Sequence, residues 1–64
     1  MRGFRRRLLR LKQVEDRTGY KKSKIYKDVK EGKFPAPVKL GSRSVAWVEE
    51  EVQQWIDARP RVEV

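Results

Sequence analysis

The chain has 64 residues, and its 17 Lys and Arg against 9 Asp and Glu give a formal net charge of +8. A chain of this length forms one domain at most, and without Cys its core must come from a few large side chains. The charge indicates an anionic partner, either nucleic acid or an acidic membrane surface, and no apolar run approaches the roughly 20 residues of a membrane span.

The N-terminal segment is basic and has few apolar side chains. Arg occupies positions 2, 5, 6 and 7, so we predict a basic flexible arm over residues 1–7. Residues 8–11 read Leu-Leu-Arg-Leu and can form a short strand that ties this arm to a domain over residues 8–59. Residues 60–64 are expected to form a tail.

Two short helices joined by a tight turn are predicted next. Residues 12–17 form the first helix, and Gly19 ends it, as a glycine just past a helix commonly does. The second helix covers residues 22–31, and Gly32 stops it ahead of Pro35. A pair of this kind with a lysine-rich second helix is typical of a helix-turn-helix DNA reader.

The second helix has an apolar side and a charged side. Ile25, Tyr26 and Val29 lie at helical spacing and form an apolar stripe. The charged positions expected to face solvent or a ligand are Lys24, Lys27, Asp28 and Glu31. Lys21 precedes the helix and is a poor cap in a region of positive helix potential.

A β-hairpin and a third helix complete the sequence. Residues 38–40 and 45–47 place apolar side chains two positions apart on either side of a Gly-containing turn. Residues 48–59 fit a helical period, and the glutamates at 49–51 occupy the first turn, where the helix dipole favours negative charge. The order predicts a mainly α fold with a small β-hairpin wing (α+β), a winged helix-turn-helix with three short helices.

Candidate DNA-binding residues lie on three segments. Those of the second helix and its start are Lys21, Lys22, Ser23, Lys24 and Lys27. Those of the wing tip are Ser42, Arg43 and Ser44, and those of the arm are Arg5, Arg6 and Arg7. Arg suits narrow minor grooves, and basic arms can follow the DNA. Each set also has a plainer interpretation: a solvated helix face, a polar hairpin tip, and a disordered tail that adds only counterion release.

The aromatic side chains also have two interpretations. Tyr26, Trp47 and Trp55 could be stacking platforms for single-stranded nucleic acid, but their positions on apolar stripes favour the core. The chain lacks common catalytic groups, since it has no His, no Cys and no phosphate-binding glycine motif. We therefore expect no enzymatic activity, cofactor, metal or small-molecule substrate.

Several short motifs occur in the order and spacing of a known family. They are Leu9-Arg10-Leu11-Lys12-Gln13-Val14, Arg17-Thr18-Gly19, Ser23-Lys24-Ile25-Tyr26, Glu31-Gly32-Lys33-Phe34-Pro35-Ala36-Pro37-Val38, Leu40-Gly41-Ser42-Arg43, Val45-Ala46-Trp47 and Glu51-Val52-Gln53-Gln54-Trp55-Ile56. Together, over residues 8–58, they resemble the AlpA family of prophage and mobile-element regulators, small winged-helix proteins related to excisionases and distantly to MerR-type DNA-binding domains. At position 21 that family often has Ser, where this chain has Lys21.

The resemblance implies a sequence-specific double-stranded DNA-binding protein of a prophage or integrative element. It would act as a transcriptional regulator, as an excisionase (recombination directionality factor) working with an integrase, or as both. The expected partners are duplex DNA, an integrase or recombinase, and further copies of the chain on DNA. The expected location is the bacterial cytoplasm, on the nucleoid and away from membranes. Two alternatives stay open: a protein-interaction module such as an antirepressor or inhibitor, and a basic RNA-binding protein.

Overall fold

The computed structural model describes residues 6–63, and within that range it shows three helices and three strands. In chain order these are β1 (Leu8–Leu9), α1 (Leu11–Thr18), α2 (Lys22–Lys30), β2 (Val38–Lys39), β3 (Val45–Val48) and α3 (Glu49–Asp57). This order confirms the predicted winged helix-turn-helix. The first strand also forms, but over Leu8–Leu9 rather than residues 8–11, because Leu11 begins α1.

The boundaries differ from the predicted ones by one or two residues. α1 is longer by one residue at each end, and α2 ends one residue earlier, at Lys30. α3 starts one residue late because Val48 still belongs to β3, where it pairs with Leu8. α3 was predicted to extend to Arg59 but ends two residues earlier, at Asp57. The Arg59 guanidinium nevertheless lies 4.5 Å from the centroid of the Trp55 ring.

β3 is the central strand of an antiparallel sheet with the order β1-β3-β2. The residue pairs are Leu8 with Val48, Leu9 with Trp47, Val38 with Ala46, and Lys39 with Val45. The carbonyl oxygen of Ser44 closes the hairpin loop by accepting the N–H of Leu40 at 2.7 Å and that of Gly41 at 3.3 Å. The wing is thus fixed to a strand that runs directly into α3.

The turn between α1 and α2 depends on Gly19 and Thr18. Gly19 has φ 78°, in the left-handed region, and its N–H donates to the carbonyl oxygen of Glu15 at 2.8 Å. The Thr18 hydroxyl donates to the carbonyl oxygen of Val14 at 2.8 Å and accepts the N–H of Tyr20 at 3.1 Å. These bonds fix the direction in which the chain leaves α1.

The core joins the helix-turn-helix to β3 and α3. Its buried apolar side chains are Leu9, Val14, Ile25, Phe34, Ala46, Trp47, Val48 and Val52. Trp47 is fully buried, as predicted, and Trp55 is half-buried and packed against the same cluster. A chain this short can bury few side chains, so the stability of the fold depends strongly on these.

Two indole N–H groups hold the connector between α2 and the wing. Trp47 Nε1 donates to the carbonyl oxygen of Pro35 at 2.9 Å, and Trp55 Nε1 donates to that of Lys33 at 2.7 Å. Between these two anchors Phe34 is buried, with its ring edge-on to Trp55 at 4.8 Å between centroids. The position of the wing relative to α2 therefore depends on these contacts.

Candidate nucleic-acid interface

The side of α2 that faces away from the core is exposed and basic. Ile25 is fully buried, and this fixes the rotation of the helix about its axis. The residues on the opposite side follow the spacing i, i+3, i+4 and i+7 and are all exposed. We call them the outer face of α2: Ser23, Tyr26, Lys27 and Lys30. The other predicted residues, Lys21, Lys22 and Lys24, are also exposed.

The outer face includes two residues that the sequence-based site omitted, Tyr26 and Lys30. The prediction that Tyr26 belongs to the core is wrong, because Tyr26 is 38% exposed. Its ring packs edge-on against Trp47 at 5.9 Å between centroids, and the residue is exposed like its neighbour Lys27. The helical spacing from Ser23 could have identified both residues.

Asp28 was predicted to face solvent or a ligand, and this is also wrong. Asp28 is only 4% exposed. It lies on the same side of α2 as Ile25, which is three residues earlier in the chain. Lys24 Nζ lies 3.3 Å from Asp28 Oδ1, but the contact lacks hydrogen-bond geometry, so within residues 6–63 this buried oxygen has no hydrogen-bond partner. Lys24 is therefore not a free lysine of the solvent face.

The start of α2 has no side-chain cap. Lys21 occupies the capping position without a capping hydrogen bond, as its residue type predicts. The N–H of Ile25 donates to the carbonyl oxygen of Lys21 at 3.0 Å, which leaves the preceding first-turn N–H groups outside the helical ladder. Positive helix potential and two lysine side chains coincide at this end of α2.

The wing tip presents Ser42 and Arg43 to solvent, whereas Ser44 is half-buried. Ser44 also supplies the carbonyl that closes the loop, so its backbone has a structural role. Of the three residues predicted at this tip, the structure leaves Ser42 and Arg43 the more accessible.

The end of the predicted arm is anchored at the start of α3. Arg6 and Arg7 are exposed, and the carbonyl oxygen of Arg7 accepts the N–H of Glu49 at 2.8 Å. Both arginines line a cleft with Arg17, whose guanidinium lies 2.6 Å from a carboxylate oxygen of Glu49. Their surroundings thus include carboxylates, unlike those of the outer face of α2. Arg5 lies outside the described residues.

Ion pairing divides the basic residues into two groups. Over residues 6–63 the ion pairs join Lys12 to Asp16, Arg17 to Glu49, Lys24 to Asp28 and Lys33 to Glu31. Lys21, Lys22, Lys27, Lys30 and Arg43 take part in none of these pairs. Arg6, Arg7, Arg10, Lys39, Arg59 and Arg61 also lie outside these pairs, so unpaired positive charge in this part of the chain is spread over several surfaces, and its largest group, four lysines, belongs to α2 and its start.

Two further observations concern other kinds of site. In the described range, no group of three acidic side chains is arranged to hold a metal ion. None of the helices formed by residues 6–63 has the length and apolar character needed to cross a bilayer.

Comparison with known proteins gives a family and a relative. Residues 7–60 match the family model described as prophage CP4-57 regulatory protein (AlpA). A protein of Enterobacteria phage P4, named uncharacterized protein ORF88, is 40% identical over 53 residues, which cover 83% of this chain. The same match spans 60% of that phage protein, less than two-thirds of its length. No solved structure matches the chain.

Proposed function

Because this chain belongs to the AlpA family of prophage regulatory proteins, we propose that it is a sequence-specific double-stranded DNA-binding regulator of a prophage or integrative element. The observation that carries the proposal is the outer face of α2. Its Ser, Tyr and Lys side chains are exposed and share one side of α2, which is the second helix of a helix-turn-helix.

The dimensions of α2 suit a DNA major groove. An α-helix with side chains is about 10–12 Å across, and the groove is about 12 Å wide. At about 1.5 Å per residue, α2 is about 13 Å long and would follow about four base pairs. Lys27 and Lys30 can donate to guanine O6 and N7, while the Ser23 and Tyr26 hydroxyls can reach phosphates or base edges.

The start of α2 and the wing would contact the DNA backbone. A phosphate at the start of α2 would accept hydrogen bonds from first-turn N–H groups that lack a cap, assisted by Lys21 and Lys22. Arg43 at the exposed wing tip would enter a minor groove or contact a flanking phosphate. Trp47 and Trp55 support this arrangement, since they hold the connector that separates the wing from α2.

The biological role would be regulation of transcription, and we extend the proposal to excision together with an integrase. The family description supports regulation. Excision would need the same DNA contacts, with bending of DNA near an attachment sequence. Useful specificity from so small an interface would require several copies or a second protein on the DNA. A promoter site would favour regulation, and a bent site beside an attachment sequence would favour excision.

Binding of labelled duplexes at several salt concentrations tests the proposal. The probes are DNA flanking the gene and a scrambled duplex of the same composition. We expect the flanking DNA to contain a site whose complex survives scrambled competitor. Neutralisation of about 5–8 phosphates would give a slope of log K against log salt of about −4.5 to −7.

Lys27→Ala measures the contribution of the outer face, and Lys12→Ala is the matched control. Both changes remove one positive charge, but Lys12 lies on α1 and pairs with Asp16 at 3.9 Å. Lys27→Ala should lower the affinity for the specific site about tenfold or more, and the affinity for scrambled DNA at most about fivefold. Lys12→Ala should change both affinities less than about twofold.

Three results would contradict the proposal or the site assigned to it. Binding that scrambled competitor and moderate salt abolish would mean that charge alone drives association, and a protein partner would become the leading interpretation. Stronger binding to structured RNA than to duplex DNA at equal salt would favour an RNA-binding protein. Equal losses from Lys27→Ala and Lys12→Ala would remove the role assigned to the outer face.

A further inference from the structure

We propose that Asp28 is a positioning residue, which holds Lys24 at the side of α2 so that Lys24 contributes to sequence preference rather than to general attraction for phosphate. The inference rests on the DNA-binding function proposed above. It concerns a buried carboxylate for which that function has no other use.

Asp28 is a charged residue in a buried position, which is uncommon in folded proteins. It is 4% exposed and shares a side of α2 with Ile25, which is fully buried. Burying a carboxylate is costly unless a cation or hydrogen-bond donors compensate it. The cation here is Lys24, one helical turn earlier, with its Nζ 3.3 Å from Asp28 Oδ1. The buried carboxylate of Asp28 therefore attracts the Lys24 ammonium and restricts its position.

Lys24 is restrained from two directions. Its ammonium is attracted by Asp28 and also lies 5.5 Å from the centroid of the Tyr20 ring. That ring packs edge-on against Trp55 at 5.5 Å between centroids, so it is itself part of the packed structure. A free lysine has many rotamers, and these two contacts reduce their number.

The restrained ammonium remains accessible to a ligand. The Lys24 side chain is 50% exposed, while that of Asp28 is 6% exposed. An ammonium has three donors, so the attraction of Asp28 leaves donors for a base edge. Because Asp28 offsets its charge, Lys24 should release fewer counterions on binding than an unpaired lysine would. A fixed donor with a reduced net charge favours discrimination between bases over general affinity.

The chain contains a matched control for this pair. Lys12 and Asp16 on α1 have the same residue types at the same spacing, at 3.9 Å. Their side chains are 77% and 68% exposed, so the pair is a surface contact that restrains little. Asp16→Ala and Asp28→Ala each raise the net charge by one, and only Asp28→Ala releases Lys24.

The test compares affinities for two duplexes, one selected by the wild-type protein from a random-sequence library and one scrambled. For Asp28→Ala we expect binding to the selected duplex to weaken about fivefold, through loss of a positioned contact. Binding to the scrambled duplex should strengthen about twofold, with a salt slope steeper by up to about 0.9, because Lys24 is freed. Asp16→Ala should leave the ratio of the two affinities unchanged.

A double mutant separates positioning from a general effect on the fold. In a Lys24→Ala background, Asp28→Ala should change the ratio of the two affinities by less than about twofold, because the group that Asp28 positions is already absent. An equal fall of the ratio in both backgrounds would mean that Asp28 acts through the helix itself, and this would overturn the inference.

Folding and the proposed function are checked separately. Far-UV circular dichroism establishes that each variant is folded. If Asp28→Ala does not fold, Asp28→Asn removes the charge at similar volume, and an unchanged ratio in that variant would overturn the inference. A wild-type protein that selects no preferred duplex refutes the DNA-reading function itself. A selective wild-type protein with a selective Asp28→Ala variant refutes only the role of Asp28.

Discussion

Replacing Gly19 by Ala should destabilise the domain even though the added methyl group would touch nothing. Gly19 has φ 78°, and among the described residues, its chain neighbours apart, a Cβ built there meets no heavy atom within 4 Å. The cost is therefore conformational: an L-residue in the left-handed region costs about 1–2 kcal/mol. Ala also makes the unfolded chain less flexible than Gly does, and this offsets about 0.4–1 kcal/mol of that cost. The net loss of about 1 kcal/mol should lower the melting temperature by about 4–8 °C in a domain of this size.

Gly41→Ala is the matched control for this substitution. Within residues 6–63 a Cβ at Gly41 also meets no heavy atom within 4 Å beyond its chain neighbours, but positive φ angles occur there only at Gly19 and Gly32. Gly41→Ala should therefore leave stability unchanged or raise it by up to about 1 kcal/mol. Thermal and urea unfolding, followed by far-UV circular dichroism, measures both variants. Equal melting temperatures would refute the argument that the turn between α1 and α2 requires a left-handed residue.

Two further substitutions test the connector and the outer face of α2. Trp55→Phe removes the indole N–H that bonds the Lys33 carbonyl, and should lower the free energy of unfolding by about 1 kcal/mol and weaken DNA binding. An unchanged melting temperature of Trp55→Phe would contradict the stabilising role of this hydrogen bond. Tyr26→Phe keeps the ring that packs against Trp47, so stability should change by less than about 0.5 kcal/mol. Affinity for the selected duplex, measured by fluorescence anisotropy, should fall about two- to fivefold, and an unchanged value would exclude the hydroxyl from the interface.

The fold could be predicted because its local signals agree with one another. Gly19 and Gly32 mark the ends of two helices, and both have the positive φ that glycine adopts without strain. Alternating apolar residues on either side of Gly41 predicted the hairpin, and the glutamates after Val48 predicted the start of α3. The indole bonds to the connector could not be predicted, because they join residues 12 and 22 positions apart in the chain.

The rotation of α2 explains why the site could be predicted only in part. Ile25 and Val29 define its buried side, and at 100° per residue Tyr26 and Asp28 lie about 80° to either side of their mean direction. Hydropathy alone assigns Tyr26 to the core and Asp28 to solvent. In the structure Asp28 is buried, where Lys24 can compensate its carboxylate, and Tyr26 is 38% exposed although its ring still contacts Trp47. Such a choice depends on tertiary neighbours, which the sequence does not specify locally.

A formal net charge of +8 indicates attraction to DNA but does not say which cations would read its sequence. If charge alone governed binding, removal of Lys12 and of Lys27 would have the same effect. The structure makes these lysines different, since Lys12 pairs with Asp16 on α1 and Lys27 stands on the outer face of α2 without such a pair among the described residues. Lys24 forms a third class, charged and exposed but held by a buried carboxylate. The same charge change at these three positions should therefore give three different ratios of specific to scrambled affinity, and equal ratios would mean that the folded arrangement contributes nothing to recognition.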